Sequence, residues 1–118
     1  MELRKTFQIE AAHQLPNVAP GHKCGRVHGH SFVIEIAVEG PVQPGSGWVM
    51  DYADLKAVFE PLHVQLDHQF LNEIPGLENP TSELLAMWIW DRLKPGLPGL
   101  IEIIVGETCT SRCVYRGS

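Results

Sequence analysis

Two segments of the sequence alternate apolar and polar residues, and both carry histidines where they would meet. From Lys5 to His13, one face consists of Phe7, Ile9, Ala11 and His13. From His28 to Glu39, the matching face begins with two histidines and continues with apolar residues: His28, His30, Phe32, Ile34, Ile36 and Val38. Strand side chains repeat every second residue, so the pattern predicts two strands with their histidines on one face. Antiparallel pairing through the loop 14–27 would bring the three histidines together.

The converging histidines predict a metal centre. Three neutral imidazoles with an open fourth position are the ligand set of zinc sites that carry out chemistry. We therefore expect His13, His28 and His30 to bind one Zn²⁺ ion. His22 and His63 lie outside this pattern and are expected to be structural residues.

A cysteine lies four residues before His28 and is close enough in sequence to reach the metal region. From the residues alone Cys24 has three possible roles: a fourth zinc ligand, a thiolate that acts as base or nucleophile, or an inert buried residue. Cationic neighbours favour a thiolate, and Lys23 and Arg26 flank this cysteine.

The composition predicts one domain spanning residues 1–118. The chain is 44% hydrophobic, enough for a core, and has no apolar run near the ~20 residues of a spanning helix. The N-terminus lacks the apolar region of a secretory signal, so we expect a soluble, cytoplasmic protein with no membrane partner. With three cysteines and no export signal, we expect reduced thiols, with Cys109 and Cys113 structural. The net charge of −5 disfavours nucleic acid as a partner.

Helical spacing follows the two strand segments. Asp51 is expected to cap a first helix that reaches Leu66, and Pro61 is expected to kink or interrupt it because proline lacks an amide donor. The pair Asn79-Pro80 predicts the start of a second helix, with proline at its first position. The pair Pro95-Gly96 is expected to end that helix.

Two more strands, at 100–105 and 112–116, complete the order β-β-α-α-β-β. Strands grouped apart from helices predict an α+β domain, with a four-stranded antiparallel sheet and both helices on one face. Such a sheet has two open edges, which proteins usually cover or pair. We therefore expect the sheets of several subunits to join edge to edge in a closed oligomer.

An adjacent acid and imidazole, Asp67 and His68, lie between the two predicted helices. Side chains of adjacent residues rarely hydrogen-bond to each other, so each is expected to orient a different group. A histidine positioned by a carboxylate is the usual helper for activating a thiol. As an isolated dipeptide the pair is also typical of a solvated loop.

Glu107 is expected at the end of an apolar strand face, because it shares parity with Ile101, Ile103 and Val105. A carboxylate in that position needs a partner, since burying an unpaired charge is costly. A ligand with adjacent N–H donors, such as one edge of a pterin or guanine, would satisfy it. A strand-end glutamate in water is the alternative.

Six stretches together resemble the 6-pyruvoyl-tetrahydropterin synthase family over nearly the whole chain. They are Phe7-Gln-Ile-Glu-Ala-Ala-His13, Cys24-Gly-Arg-Val-His28-Gly-His30, Gly47-Trp-Val-Met-Asp51-Tyr, Leu66-Asp67-His68, Asn79-Pro-Thr-Ser-Glu83 and Glu107-Thr. The resemblance implies the tunnelling fold, in which subunit sheets form a barrel and two trimers stack as a homohexamer. It also implies zinc on the three histidines.

The same resemblance implies roles for residues around the metal. Cys24 would be the proton acceptor, Asp67 and His68 would form a relay, and Glu107 would anchor the pterin ring. Three consecutive residues match the family's second substrate-contacting motif: Thr81, Ser82 and Glu83. Two cations beside the thiol are candidates for binding the substrate's triphosphate, namely Lys23 and Arg26.

The spacing of the thiol and the histidines separates subfamilies. Three residues lie between Cys24 and His28, which is similar to the carboxy-forming enzymes of queuosine (7-deazaguanine) biosynthesis, whereas the pyruvoyl-forming enzymes of animals have a longer insertion. The resemblance therefore implies a lyase that converts 7,8-dihydroneopterin triphosphate and water to 6-carboxytetrahydropterin, acetaldehyde and triphosphate.

Three other functions compete with this one. The first is an enzyme of the same fold that forms the pyruvoyl product. The second is a zinc-containing pterin-binding module without catalysis, which the presence of Cys24, Asp67 and His68 disfavours. The third is a zinc hydrolase, which would need a general-base carboxylate beside the ligands, and no glutamate flanks His28 or His30.

Overall fold

The sheet is built around two long antiparallel strands. In the computed structural model, which describes all 118 residues, β1 (Glu2–His13) and β2 (His28–Glu39) are 12 residues each. They pair over their whole length, from Glu2 opposite Glu39 to His13 opposite His28. The predicted antiparallel pairing is confirmed, and β1 begins earlier than the alternation indicated.

Three further strands and two helices complete the chain. In sequence order they are α1 (Tyr52–Leu66), β3 (Gln69–Phe70), α2 (Ser82–Leu93), β4 (Leu100–Thr108) and β5 (Ser111–Tyr115). The strand order is β3-β1-β2-β4-β5. The sheet thus has five strands rather than the four predicted, because β3 pairs in parallel with Ala11 and Ala12. A strand of two residues has no alternation from which it could be predicted.

Both helices cover the same face of the sheet. α1 lies against β1, whereas α2 lies over β4 and β5. The core between the layers is apolar and includes fully buried residues from every long element, for example Ile9, Phe32, Leu55, Leu85 and Ile103. None of the helices is both long and apolar enough to cross a membrane.

The structure corrects two details of the predicted helices. Pro61 lies inside α1, which continues to Leu66 without interruption. Both Pro61 and Ala57, whose carbonyl loses its usual donor, are exposed, so that carbonyl lies where water can bind it. The second helix is capped by Thr81, whose hydroxyl accepts the Leu84 N–H at 3.1 Å, rather than starting at Asn79-Pro80.

The register of β4 determines where Glu107 lies. Ile103 and Val105 are fully buried, and Glu107 shares their parity as predicted. The register against β2 shifts between Ala37 and Val38, so that Leu100, rather than Ile101, lies opposite Val38. Ile101 therefore does not share a face of the sheet with Glu107, contrary to the prediction. Ile103 and Val105 still form the predicted apolar face that ends at Glu107.

Candidate metal centre

Three histidines meet where β1 ends and β2 begins. His13 lies directly opposite His28, and His30 lies opposite Ala11. The ring centroids are 4.5 Å apart for His13 and His28, 5.1 Å for His13 and His30, and 4.9 Å for His28 and His30. One nitrogen of each ring lies within 4.8 Å of the other two. The predicted convergence of the three imidazoles is confirmed, and the group contains no other residue.

The hydrogen bonds of the rings leave nitrogens free for a metal. His13 Nδ1 lies 2.8 Å from Pro80 O, and His28 Nδ1 lies 2.7 Å from Arg26 O. A carbonyl accepts, so each ring carries its proton on Nδ1 and presents a lone pair on Nε2. The Nε2 atoms of His13 and His30 are buried and have no hydrogen-bond partner. Buried polar atoms are normally satisfied, and a bound metal ion would satisfy these two.

His13 lies deepest in the centre. Its side chain is fully buried and packs edge-on against Phe32, with 5.4 Å between the ring centroids. Burial lowers the pKa of His13 below the ordinary value, although the Pro80 carbonyl acts in the opposite direction. The ring is therefore neutral at pH 7, which is the state in which imidazole binds a metal.

A carboxylate borders the same nitrogens. Glu107 Oε1 lies 3.2 Å from His13 Nε2 and 3.6 Å from His30 Nε2. Neither contact is a hydrogen bond, as expected for His13, whose Nδ1 holds the proton. Glu107 also lines a cavity of about 390 Å³ beside Ser82 and Glu83 at the start of α2. The Glu107 side chain thus faces a pocket as well as bulk water.

Cys24 lies in a single 3-10 turn, Lys23–Gly25, next to the centre in sequence but outside the histidine group. Its amide donates to His22 Nδ1 at 3.0 Å, and its carbonyl accepts the Leu15 N–H at 2.8 Å. The side chain is half-buried. The flanking cations, Lys23 and Arg26, are exposed.

Asp67 and His68 are in direct contact, so the expectation that they would not pair is wrong. His68 Nδ1 lies 2.9 Å from Asp67 Oδ2. The backbone makes this possible, because Asp67 ends α1 in an extended conformation and His68 has a positive φ of 59°. Asp67 Oδ1 also accepts the Glu10 N–H at 2.8 Å. That amide, followed by His68, lowers the pKa of Asp67.

The remaining predicted substrate residues lie at the start of α2. Ser82 and Glu83 line the Glu107 cavity, together with Arg112 and Cys113 from β5. The Thr81 hydroxyl is occupied as the helix cap. Burial, with a smaller contribution from Glu83, raises the pKa of Cys113, which indicates a protonated thiol at neutral pH.

Sequence reasoning did not find the polar residues that support the centre. Pro80 contributes a backbone carbonyl to His13, whereas Asn72 and Gln14 connect the neighbouring loops through their side chains. Their contacts join residues 11 to 67 positions apart in the chain, and no local pattern marks them. Asn72 follows Asp67-His68 closely and Pro80 belongs to the stretch from Asn79 to Glu83, but neither position indicates the contacts with Gln14 and His13.

Fold and site together define an α+β protein with a three-histidine centre at the junction of two antiparallel strands, bordered by a carboxylate. The chain belongs to the 6-pyruvoyl tetrahydropterin synthase family, which matches residues 2–118. The predicted membership of this family is confirmed.

Individual relatives cover most of the chain. It is 48% identical to the 6-carboxy-5,6,7,8-tetrahydropterin synthase of Synechocystis, over 94% of this chain and 89% of that protein. It is 35% identical to the enzyme of the same name from Bacillus subtilis, over 98% and 84%. The 6-pyruvoyl tetrahydropterin synthase structure from Caenorhabditis elegans superposes with a TM-score of 0.92 at 26% identity, over 100% and 96%. The predicted α+β tunnelling fold is confirmed, and so is the prediction of an enzyme of this family.

Proposed function

We propose that the chain is a zinc-dependent lyase of queuosine (7-deazaguanine) biosynthesis in the cytoplasm. It would convert 7,8-dihydroneopterin triphosphate and water to 6-carboxy-5,6,7,8-tetrahydropterin, acetaldehyde and triphosphate. The observation that carries this proposal is the pair of buried, unpartnered nitrogens on His13 and His30 beside the Glu107 carboxylate. The names of the Synechocystis and Bacillus subtilis relatives support the same reaction.

The three histidines would hold the zinc ion. The Nδ1 atoms of His13 and His28 donate to the carbonyl groups of Pro80 and Arg26, respectively. These hydrogen bonds orient both rings and keep their Nε2 atoms available. Three nitrogen ligands leave a fourth position for substrate oxygen. When bound, zinc supplies Lewis-acid polarisation of that oxygen, which makes neighbouring C–H protons more acidic.

Proton transfer is assigned to Cys24 and His68. Cys24 would accept a carbon-bound proton as a thiolate, and His68 would move a proton at its Nε2. Asp67, 2.9 Å from His68 Nδ1, fixes the Nδ1–H tautomer and the orientation of the ring. Because its pKa is lowered, chiefly by the Glu10 amide, Asp67 stays ionised at neutral pH. The relay is thus anchored to β1, the strand that carries His13.

Substrate binding is assigned to the cavity that Glu107 lines. Its carboxylate can accept two N–H bonds from the edge of a pterin, with Ser82 and the capping residue Thr81 at the neighbouring helix start. Because Glu107 Oε1 lies 3.2 Å from His13 Nε2, a pterin held there would lie beside the three-histidine centre. Lys23 and Arg26 are exposed and are assigned to the triphosphate.

Product analysis tests the reaction. Zinc-loaded protein incubated with 7,8-dihydroneopterin triphosphate should release acetaldehyde and 6-carboxytetrahydropterin in equal amounts, measured by mass spectrometry and by aldehyde trapping. A pyruvoyl product without acetaldehyde would instead support a 6-pyruvoyl tetrahydropterin synthase, the function that the name of the Caenorhabditis elegans structure favours. Binding of pterin without any turnover would indicate a non-catalytic module.

The Cys24→Ala variant tests the assigned base. If Cys24 is the base, the alanine variant should keep its zinc content, fold and pterin binding. Its turnover should fall by roughly 10²–10⁴-fold, the usual contribution of a positioned acid–base group. Loss of zinc would indicate a ligand, and lower stability with normal turnover would indicate a core residue. Cys109→Ser, at an exposed cysteine, is the matched control and should behave as the parent protein does.

A further inference from the structure

The side-chain amide of Asn72 contacts the backbone of two chain segments that adjoin the three-histidine centre. Its Oδ1 accepts the Gln14 N–H at 2.9 Å, and its Nδ2 donates to Gln14 O at 2.6 Å and to Glu78 O at 3.4 Å. Gln14 directly follows the ligand His13. Glu78 lies two residues before Pro80, whose carbonyl orients the His13 ring. Asn72 thus joins the two chain segments that position His13.

Gln14 extends this connection to the thiol. Its Nε2 donates to Gly25 O at 2.9 Å, and Gly25 directly follows Cys24 in the same 3-10 turn. The Cys24 carbonyl accepts the N–H of Leu15, the residue after Gln14. Gln14 and Asn72 are both half-buried, so water competes less for these hydrogen bonds than it would at the surface.

Asn72 acts where the backbone pairing of the sheet ends. β3 pairs with β1 only at Ala11 and Ala12, and the chain then turns into a 3-10 turn, Leu71–Glu73. The amide of Asn72 supplies one acceptor and one donor to Gln14, as a strand residue would. Aspartate has the same shape but no donor, and leucine has neither group.

We propose that Asn72 is a positioning residue, which acts through Gln14 to hold the ligand His13 and the thiol of Cys24 in a fixed relative position. Its effect on turnover rests on the function proposed above. Its effects on metal retention and thiol reactivity do not depend on any reaction, so they can be measured separately.

The test uses zinc-loaded, full-length protein and two readouts besides activity. One is the rate of zinc loss to a chelator, and the other is the rate of Cys24 alkylation by iodoacetamide, followed on its own peptide by mass spectrometry. Asn72→Ala removes two close hydrogen bonds and should speed both rates by roughly tenfold. Glu73→Ala, at an exposed side chain of the same turn, is the matched control and should change neither rate.

Gln14→Ala separates the two branches of the connection. It removes the bond to Gly25 but leaves the backbone groups that Asn72 contacts, so it should speed Cys24 alkylation while zinc loss stays within about twofold. In the Asn72→Ala, Gln14→Ala double variant, the effects on alkylation should be less than additive, since both changes interrupt the same connection. In turnover, Asn72→Ala should lower kcat more than it raises KM.

Asn72→Ala protein that melts cooperatively, yet loses zinc and reacts at Cys24 at the rates of Glu73→Ala, would overturn the proposal. If Asn72→Ala does not fold, Asn72→Asp takes its place, because aspartate keeps the size and the bond to the Gln14 amide while losing the donor. If the parent protein gives no product from dihydroneopterin triphosphate, the proposed function fails, whereas the two rates still decide the role of Asn72.

Discussion

His68 is the one residue other than glycine with a positive φ. It follows Asp67, the C-cap of α1, at the position where helices most often have glycine. A side chain in this conformation costs about 1–2 kcal/mol, which glycine avoids. Folding alone would favour glycine here. The His68 side chain is 77% exposed, so we attribute the presence of histidine at this position to the proposed proton transfer rather than to stability.

Two substitutions of His68 distinguish chemistry from folding. His68→Gly should have a free energy of unfolding within about 1 kcal/mol of the parent protein, because relief of the positive φ offsets the lost contact with Asp67. His68→Ala keeps the Cβ and should be the less stable of the two, as measured by urea denaturation. Both variants should lose turnover. An alanine variant more stable than the glycine variant would contradict this account of the backbone.

The three-histidine centre gives a second prediction for single residues. His28→Ala should fall well below one zinc ion per subunit, measured by elemental analysis after dialysis, because two imidazoles do not complete a structural or catalytic zinc site. His63→Ala is the matched control. His63 contacts Gln8 O at 3.2 Å and lies outside the histidine group, so its removal should leave the zinc content unchanged. Full zinc occupancy in His28→Ala would rule out this ligand set.

At the scale of elements, the sequence predicted what local periodicity determines and missed what long-range contacts determine. The alternation from Phe7 to His13 and from His28 onward was enough to predict that the three histidines meet. It could not reveal β3, whose position depends on α1 ending at Leu66 and the chain then returning to β1. Nor could it reveal the register shift at Val38, which depends on how β4 fits against β2.

A network of charges joins several strands on the face of the sheet away from the helices. The Glu102 carboxylate, on β4, accepts from Arg4 on β1 at 2.6 Å and from Arg116 after β5 at 2.9 Å. Arg4 also contacts Glu35 on β2 at 2.9 Å. The hydrogen bond from Arg4 is the main reason why the pKa of Glu102 lies below its ordinary value of 4.5.

This network predicts a pH dependence of stability. A carboxylate with a lowered pKa stabilises the fold above its ordinary pKa, and the stabilisation disappears as pH falls through the lowered value. Glu102→Gln should therefore lower the free energy of unfolding by about 1–2 kcal/mol at pH 7. This value is smaller than for a fully buried ion pair, because Arg4 and Arg116 remain partly solvated. The cost should shrink below about pH 4.5.

Urea denaturation of metal-free protein between pH 7 and pH 3 measures this difference without interference from zinc loss. Glu2→Gln is the matched control, because Glu2 is the more exposed partner of Arg4, and it should have little effect at any pH. A cost for Glu102→Gln that stays constant down to pH 3 would show that the substitution acts through packing rather than charge.

At the scale of the whole molecule, the subunit is elongated and its sheet is open. Its radius of gyration is 15.4 Å and its extents are 57 × 24 × 23 Å, whereas a compact chain of this length has a radius near 13–14 Å. β3 covers the outer edge of β1 only at Ala11 and Ala12, so the stretch from Glu2 to Phe7 has no strand on that side. β5 forms the opposite open edge. Open edges of this length are usually covered or paired with another chain.

We therefore predict that subunits pair through these two edges into a closed ring, and the resemblance to the 6-pyruvoyl-tetrahydropterin synthase family implies that two rings of three stack as a hexamer. Light scattering or sedimentation should give six times the 13.1 kDa subunit mass, about 79 kDa. A closed ring leaves no free edge, so the mass should not increase further with concentration, in contrast to an open assembly. On dilution, activity per subunit should fall together with mass, because Lys23, Arg26 and His68 are exposed in a single subunit and we expect a neighbouring subunit to complete the site. A dilute 13.1 kDa species that is stable and fully active would refute the prediction, since it would show that one subunit is sufficient for catalysis.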